Sequence, residues 1–352
     1  MRCIGTLLRL AAFVVWLHPA VNAAAQQAKR HTALQFMATT SLNGASFSKD
    51  EAQILFSSNA SGVFNAYAIP VAGGEPVAMT RSTTDSTYAV GFFHTDDRIL
   101  FARDSGGDEN NHLFVRELDG AEKDLTPGAR VKASFAGWRP DGRAFYVRTN
   151  ERDARFFDLY RFDAATYART TLYKNDSGMN VETISGDERW LALQKSTTSF
   201  DSDIHLYDIA TGASKNITLP AAPASFGATT FDPLSRRLLF TTNAGDEFAA
   251  IRSYDIATGV TAKREKAGWD LLSTAYSRDG RYCTSVINLD GSIVVRVVAG
   301  PDETPVALPR VPDGEVRQAT FSPSGRLTAF YVNGDRSPAN LYVHDFRGDR
   351  SG

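Results

Sequence analysis

Short apolar stretches alternate with polar turns along the whole chain, and no segment sustains the 3.6-residue period of an amphipathic helix. One local pattern recurs. It reads "SFSKDEAQILFSS" from Ser46, "FFHTDDRILFAR" from Phe92, "GWRPDGRAFYVR" from Gly137, "TISGDERWLALQ" from Thr183, "TFDPLSRRLLFTT" from Thr230, "AYSRDGRYCTSV" from Ala275 and "TFSPSGRLTAFYV" from Thr320. Taking Ser48, Thr95, Arg139, Ser185, Asp232, Ser277 and Ser322 as the turn starts, the spacings are 47, 44, 46, 47, 45 and 45 residues. In each copy an apolar strand enters a polar turn and a β-branched or aromatic strand leaves it, which is a hairpin signature. A third strand follows in every unit ("FNAYAIPV", "HLFVREL", "DLYRFD", "IHLYDI", "IRSYDI", "IVVRVV", "NLYVHDF"), and a fourth closes most of them ("EPVAMT", "EKDLT", "SKNIT", "TPVALP"). Four strands per unit of this length predict an all-β fold, a seven-bladed β-propeller of four-stranded antiparallel blades over residues 46–352.

The seventh unit is incomplete, because "RGDRSG" after "NLYVHDF" carries no strand pattern. Exposed strand edges are a liability, so "ALQFMATTS", Ala33 to Ser41 within an N-terminal segment 24–45, is expected to supply the ring-closing strand. Residues 1–23 read as a secretory signal peptide: Arg2 and Arg9 precede the apolar run Leu10 to Leu17, and Val21 and Ala23 suit a small-residue cleavage site. That run is well short of the roughly 20 residues a membrane span requires. The mature protein is therefore expected in the bacterial periplasm or outside the cell, with no membrane attachment.

Apolar residues make up 43% and charged residues 22% of the 352 residues, enough to bury a large core. Losing the signal removes two arginines and no acid, so the formal charge moves from −2 to −4; with no basic block, nucleic-acid binding is not expected. Cys3 lies in the signal, which leaves Cys283 without an internal disulfide partner and makes stability a matter of packing. Trp138, Trp190 and Trp269 sit near blade starts and read as core.

The densest polar cluster is "ILFARDSGGDENNHLFVRELDG", Ile99 to Gly120, where Asp104 to His112 form the loop between the second and third strands of the second unit. Asp104, Asp108 and Asn110 do not fit calcium-loop spacing, and His112 has no second histidine nearby; the histidines at 31, 94, 112, 205 and 344 are scattered. Neither a metal nor another cofactor is expected. Gly106 and Gly107 allow a tight turn, and Asp108, Asn110 and Asn111 can satisfy loop N–H groups. The corresponding loop of the third unit, "NERDARFFDLY" from Asn150, reads as a solvated loop with Phe156 and Phe157 packed inward, or as an interface built on Arg152 and Arg155.

The repeat cores "SPSGR", "RPDGR" and "SRDGRY", with "LYDIATG", resemble TolB-like, WD-like propeller repeats. The run from Ala38 to Thr218, with "DRILFARDSGGDENNHLFVRELDG" and "FAGWRPDGRAFYVRTNERDARFFDLYRFD", resembles the N-terminal propeller of exported serine peptidases of the prolyl oligopeptidase family. That resemblance implies a domain restricting access of large substrates to an α/β-hydrolase whose Ser, Asp and His perform the chemistry. No G-x-S-x-G elbow occurs here, "GASFS" at Gly44 lacking the final glycine, so no catalytic residue is carried over; the chain reads as truncated before the catalytic domain. The resemblance further implies that Asp108, Glu109, Asn110, Asn111 and His112 contact a peptide or a partner domain, Glu109 meeting a peptide amine. A stand-alone TolB-like periplasmic scaffold binding a protein is the alternative, and a propeller lyase with its own site is a third reading with no clustered His, Tyr and Arg to carry it.

Overall fold

The computed structural model describes residues 30, 32–218, 222–309, 311, 314–334 and 337–346; the signal-peptide segment 1–23 lies outside them. The chain divides into two compact units, one ending at Thr39 and one beginning at Thr40. The described part of the first holds one short helix, α1 (Ala33–Met37). Thr32 caps it: its hydroxyl accepts from the N–H of Gln35 and its own N–H donates to the Gln35 side chain. The strand expected over Ala33 to Ser41 is therefore not formed, since Ala, Leu, Gln and Met favour a helix and a capping box starts one.

The second unit is the propeller. Blade one comprises β1 (Leu42–Phe47), β2 (Gln53–Ser58), β3 (Asn65–Pro70) and β4 (Val77–Ala78); blade two comprises β5 (Thr87–Phe92), β6 (Ile99–Arg103), β7 (His112–Arg116) and β8 (Glu122–Asp124). Blade three is β9 (Ala133–Trp138), β10 (Ala144–Asp153), β11 (Phe156–Asp163) and β12 (Arg169–Tyr173), and blade four β13 (Asn180–Ile184), β14 (Trp190–Thr198), β15 (Asp201–Asp208) and β16 (Ser214–Asn216). Blade five is β17 (Phe226–Phe231), β18 (Arg237–Thr242), β19 (Ala250–Asp255) and β20 (Thr261–Glu265), and blade six β21 (Leu271–Tyr276), β22 (Tyr282–Leu289), β23 (Ser292–Ala299) and β24 (Thr304–Val306). Blade seven has β25 (Glu315–Phe321), β26 (Leu327–Gly334) and β27 (Ser337–Asp345), so among the described residues six sheets are four-stranded and one is three-stranded, all antiparallel in sequence order. Because β1 starts at Leu42, the propeller begins slightly before the expected residue 46.

The repeated turns have a common chemistry. A backbone bond across five residues closes each one, from the N–H of Ser48, Phe93, Arg139, Ser185, Asp232, Ser277 and Ser322. At Ser48, Ser185, Ser277 and Ser322 the hydroxyl also accepts the N–H that opens the next strand, and in the first three it donates to the Asp two residues on. The second blade departs from the expected register: its turn begins at Phe93, not Thr95, so the spacing is more regular than Ser and Thr positions imply.

Apolar clusters fill the spaces between blades. Phe93, Leu100, Leu113, Phe145 and Phe162 pack blade two on blade three, while Ile204, Phe226, Leu238 and Phe240 pack blade four on blade five. Blade six meets blade seven through Tyr282 and Phe321, with ring centroids 4.6 Å apart. Ring closure between blades one and seven relies on packing: Phe47 and Ile54 meet Leu327 and Ala329, the Glu51 carboxylate accepts from the N–H and hydroxyl of Ser324, and the buried Tyr331 hydroxyl donates to the Gly44 carbonyl. Tyr331→Phe should destabilise the protein by about 1 kcal/mol, one hydrogen bond's net worth, read as a lower urea midpoint at unchanged m-value.

Candidate functional site

The inner strand of every blade carries a register break opposite its second strand, at Asn43/Ser46, Ala89/Gly91, Phe135/Gly137, Val181/Thr183, Ala228/Thr230, Leu271/Ser273 and Arg317/Ala319. A bulge re-aims the extra residue out of the pleat, so seven such breaks set the lining of the axial channel. Glu182 is the acid at one of them. Enclosure by the surrounding protein raises its carboxyl pKa against the opposing pull of the Arg148 guanidinium.

The predicted contact residues lie in the hairpin loop between β6 and β7. Asp108 is spent locally: its carboxylate accepts from the N–H and side-chain amide of Asn110 and from the N–H of Ser105, which holds its pKa below the usual carboxylate range. Asp104 accepts the N–H of Glu109, and Asp85 reaches over from blade two's entry to accept the N–H of Gly106. Asn111 gives its carbonyl to the N–H of Ala133. The structure assigns His112 a bracing role, with Nδ1 2.7 Å from the Asp124 carboxylate and Nε2 3.0 Å from the Gly128 carbonyl. Glu109 is different. It sits at φ 59°, a left-handed conformation uncommon outside glycine, and its exposed carboxylate has no hydrogen bond or ion pair among the described residues. Of the five predicted residues, Glu109 and the Asn111 amide have no side-chain hydrogen bond among the described residues, while the Asn110 amide spends one N–H on Asp108.

On the same face, the blade-three hairpin is anchored from within. Arg152 donates to the buried Asp158 at 2.6 and 2.8 Å and to the carbonyl of Asn175. Arg155 pairs with Asp153 at 2.8 Å and lies 5.0 Å over the half-buried Phe156 ring, so the phenylalanine supports the arginine. Two further tips expose aromatic surface that the sequence reading missed: Phe200 on the β14–β15 hairpin is 82% exposed, and Trp269, expected in the core, is 36% exposed and stacks on Phe248. Cys283 is buried, and burial pushes its thiol pKa up, in keeping with an inert structural thiol.

No family model matches this chain. The dipeptidyl aminopeptidase BIII of Pseudoxanthomonas mexicana is 33% identical over 205 residues, which are 56% of this chain and 29% of that protein. The resemblance to the prolyl oligopeptidase family is borne out. This chain thus spans under a third of that relative's length. Among solved structures, a prolyl endopeptidase superposes with a TM-score of 0.62 at 15% identity, over 88% of this chain and 50% of its own. An oligogalacturonate lyase bound to manganese gives 0.65 at 13%, over 87% and 90%, and TolB from Acinetobacter baumannii 0.51 at 15%, over 91% and 81%. At such identities the likeness is one of fold. Among the described residues no three His, Cys, Asp or Glu side chains gather as metal ligands would, and no helix is long and apolar enough to cross a membrane.

Proposed function

We propose that this chain is the substrate-gating propeller of an exported prolyl-oligopeptidase-like serine peptidase, non-catalytic by itself. The observation that carries the reading is the 33% identity to a dipeptidyl aminopeptidase across more than half of the chain. Hydrolysis falls to an α/β-hydrolase domain, because these 352 residues contain no G-x-S-x-G elbow to present a serine. Export follows from the basic and apolar pattern of residues 1–23.

The propeller contributes recognition at the hairpin face. A peptide's α-amine carries positive charge near neutral pH, and the unpaired carboxylate of Glu109 is a charge-assisted acceptor for it. The Asn111 amide supplies a donor and an acceptor for the peptide backbone, while Asp108 holds the loop that presents Glu109. With the chain joined to a family hydrolase domain, Glu109→Gln should raise KM for a free-amine dipeptide substrate on the order of tenfold, as expected for one hydrogen bond to a charged group. The N-acetylated substrate should be indifferent. Equal KM changes for both substrates, or none for either, would remove Glu109 from this role.

A further inference from the structure

The end of the channel opposite the hairpin loops opens into a cavity of about 580 Å³ lined by residues from every blade. Its rim is built from the second residue of each repeated turn: Lys49, His94, Pro140, Gly186, Pro233, Arg278 and Pro323. Four of these equivalent positions hold proline or glycine, and the other three hold every basic side chain type.

The three bases differ in what they touch. Lys49 donates to the carbonyl of Thr95. Arg278 has no hydrogen bond or ion pair among the described residues, although its charge is felt at His94 and by Asp141. Enclosure lowers the pKa of Arg278, the mark of a cation short of compensating charge. Asp232 and Asp279, the carboxylates in the lining, are each turned into their own loops, accepting from Arg236 and Arg237 N–H groups and from Ser277 and Arg281 respectively.

His94 stacks on Trp138 with ring centroids 4.5 Å apart, and a side chain at Gly142 would collide with it. Desolvation first, and then the charge of Arg278, push its pKa down to about 3, so the ring is neutral at pH 7. Its Nδ1 is buried with no partner. An orphaned lone pair costs less than an orphaned N–H, which assigns the proton to Nε2 in a ring that lines the cavity. The Trp138 Nε1–H likewise has no acceptor among the described residues. Phe135, Tyr146, Tyr276 and Phe321 supply apolar wall. An uncommitted guanidinium, two N–H donors and an aromatic enclosure make up a receptor whose missing element is an acceptor with negative charge.

We propose that this axial cavity binds a small organic carboxylate with an apolar body, held by Arg278 and the Nε2–H of His94 against the aromatic wall of the cavity. The site is independent of the peptide-binding reading of the hairpin face.

Calorimetric titration of the full chain at pH 7 with phenylacetate, and with its uncharged isostere phenylacetamide, tests it. Phenylacetate should bind saturably, phenylacetamide about tenfold more weakly or not at all, and Arg278→Gln should lose about tenfold in phenylacetate affinity, one charge-assisted contact. Arg296→Gln removes a guanidinium of the same blade that pairs with Glu265, neither residue lying in the cavity lining, and should leave affinity unchanged. Absence of saturable phenylacetate binding, equal binding of the two probes, or equal losses in the two arginine variants overturns the proposal.

Discussion

Phe145→Ala should cost about 3–5 kcal/mol of unfolding free energy, the largest loss expected from any single truncation described above. The ring is fully buried between blades two and three, with Trp138 at 5.3 Å, Phe162 at 5.4 Å and Phe93 at 5.9 Å between centroids. Blades pack face to face with no disulfide among the described residues, and the stiff flanking sheets relax little into an emptied interface. Domains of ordinary stability hold about 5–15 kcal/mol in reserve, which makes this loss a large fraction of the total. Phe145→Leu, which keeps most of the volume, should cost much less. Urea unfolding of both variants checks this, and an alanine penalty below about 1 kcal/mol would mean that this interface does not carry the ring.

Asp158→Ala should rank second, at about 3–5 kcal/mol, because it breaks a pair whose carboxylate is 1% exposed. It removes both bonds to Arg152 and strands the buried N–H of Asn175, which the carboxylate accepts at 2.7 Å. Asn175 itself is buried and hydrogen-bonded to the carbonyl of Met179, so this one substitution loosens the junction of two blades and the base of the blade-three hairpin. Burial alone would raise the carboxyl pKa; the bonds from Arg152 and the Asn175 N–H outweigh it and leave the pKa lowered. A carboxyl whose pKa is depressed on folding adds stability above its unfolded value and loses it as pH falls through the folded one. The penalty of Asp158→Asn should accordingly be full above about pH 5 and shrink in more acid solution. A penalty independent of pH would show that shape, not charge, holds the hairpin.

The seven-fold architecture was legible because each unit repeats the same strand, turn and strand, and turn residues such as Pro-Asp-Gly mark the same corner. The register of blade two was obscured by chemistry. "FFHTDDRIL" lacks proline and glycine, so Thr95 stands out as a turn start; aligning Arg98–Ile99–Leu100 with Gln53–Ile54–Leu55 instead puts Phe93 opposite Ser48 and His94 opposite Lys49. That alignment alone would have placed His94 and Arg278 on one ring. The N-terminal segment misled because an edge needing a partner says nothing about which residues fill it, and local capping by Thr32 decided for a helix. At the hairpin loop, composition marked Asp108 to His112 as one polar group, whereas hydrogen bonds, local for Asp108 and cross-strand for His112, set these two apart from Glu109, whose carboxylate has none among the described residues.

Peptide hydrolysis tests the central claim most directly, assayed with the purified chain alone and with the chain joined to a family hydrolase domain, on a dipeptide anilide and on a long unfolded polypeptide. A substrate-gating propeller predicts no turnover by the chain alone, and a joined protein that cleaves the anilide while sparing the polypeptide. Turnover by the chain alone, or a joined protein that cuts both substrates equally well, would contradict it.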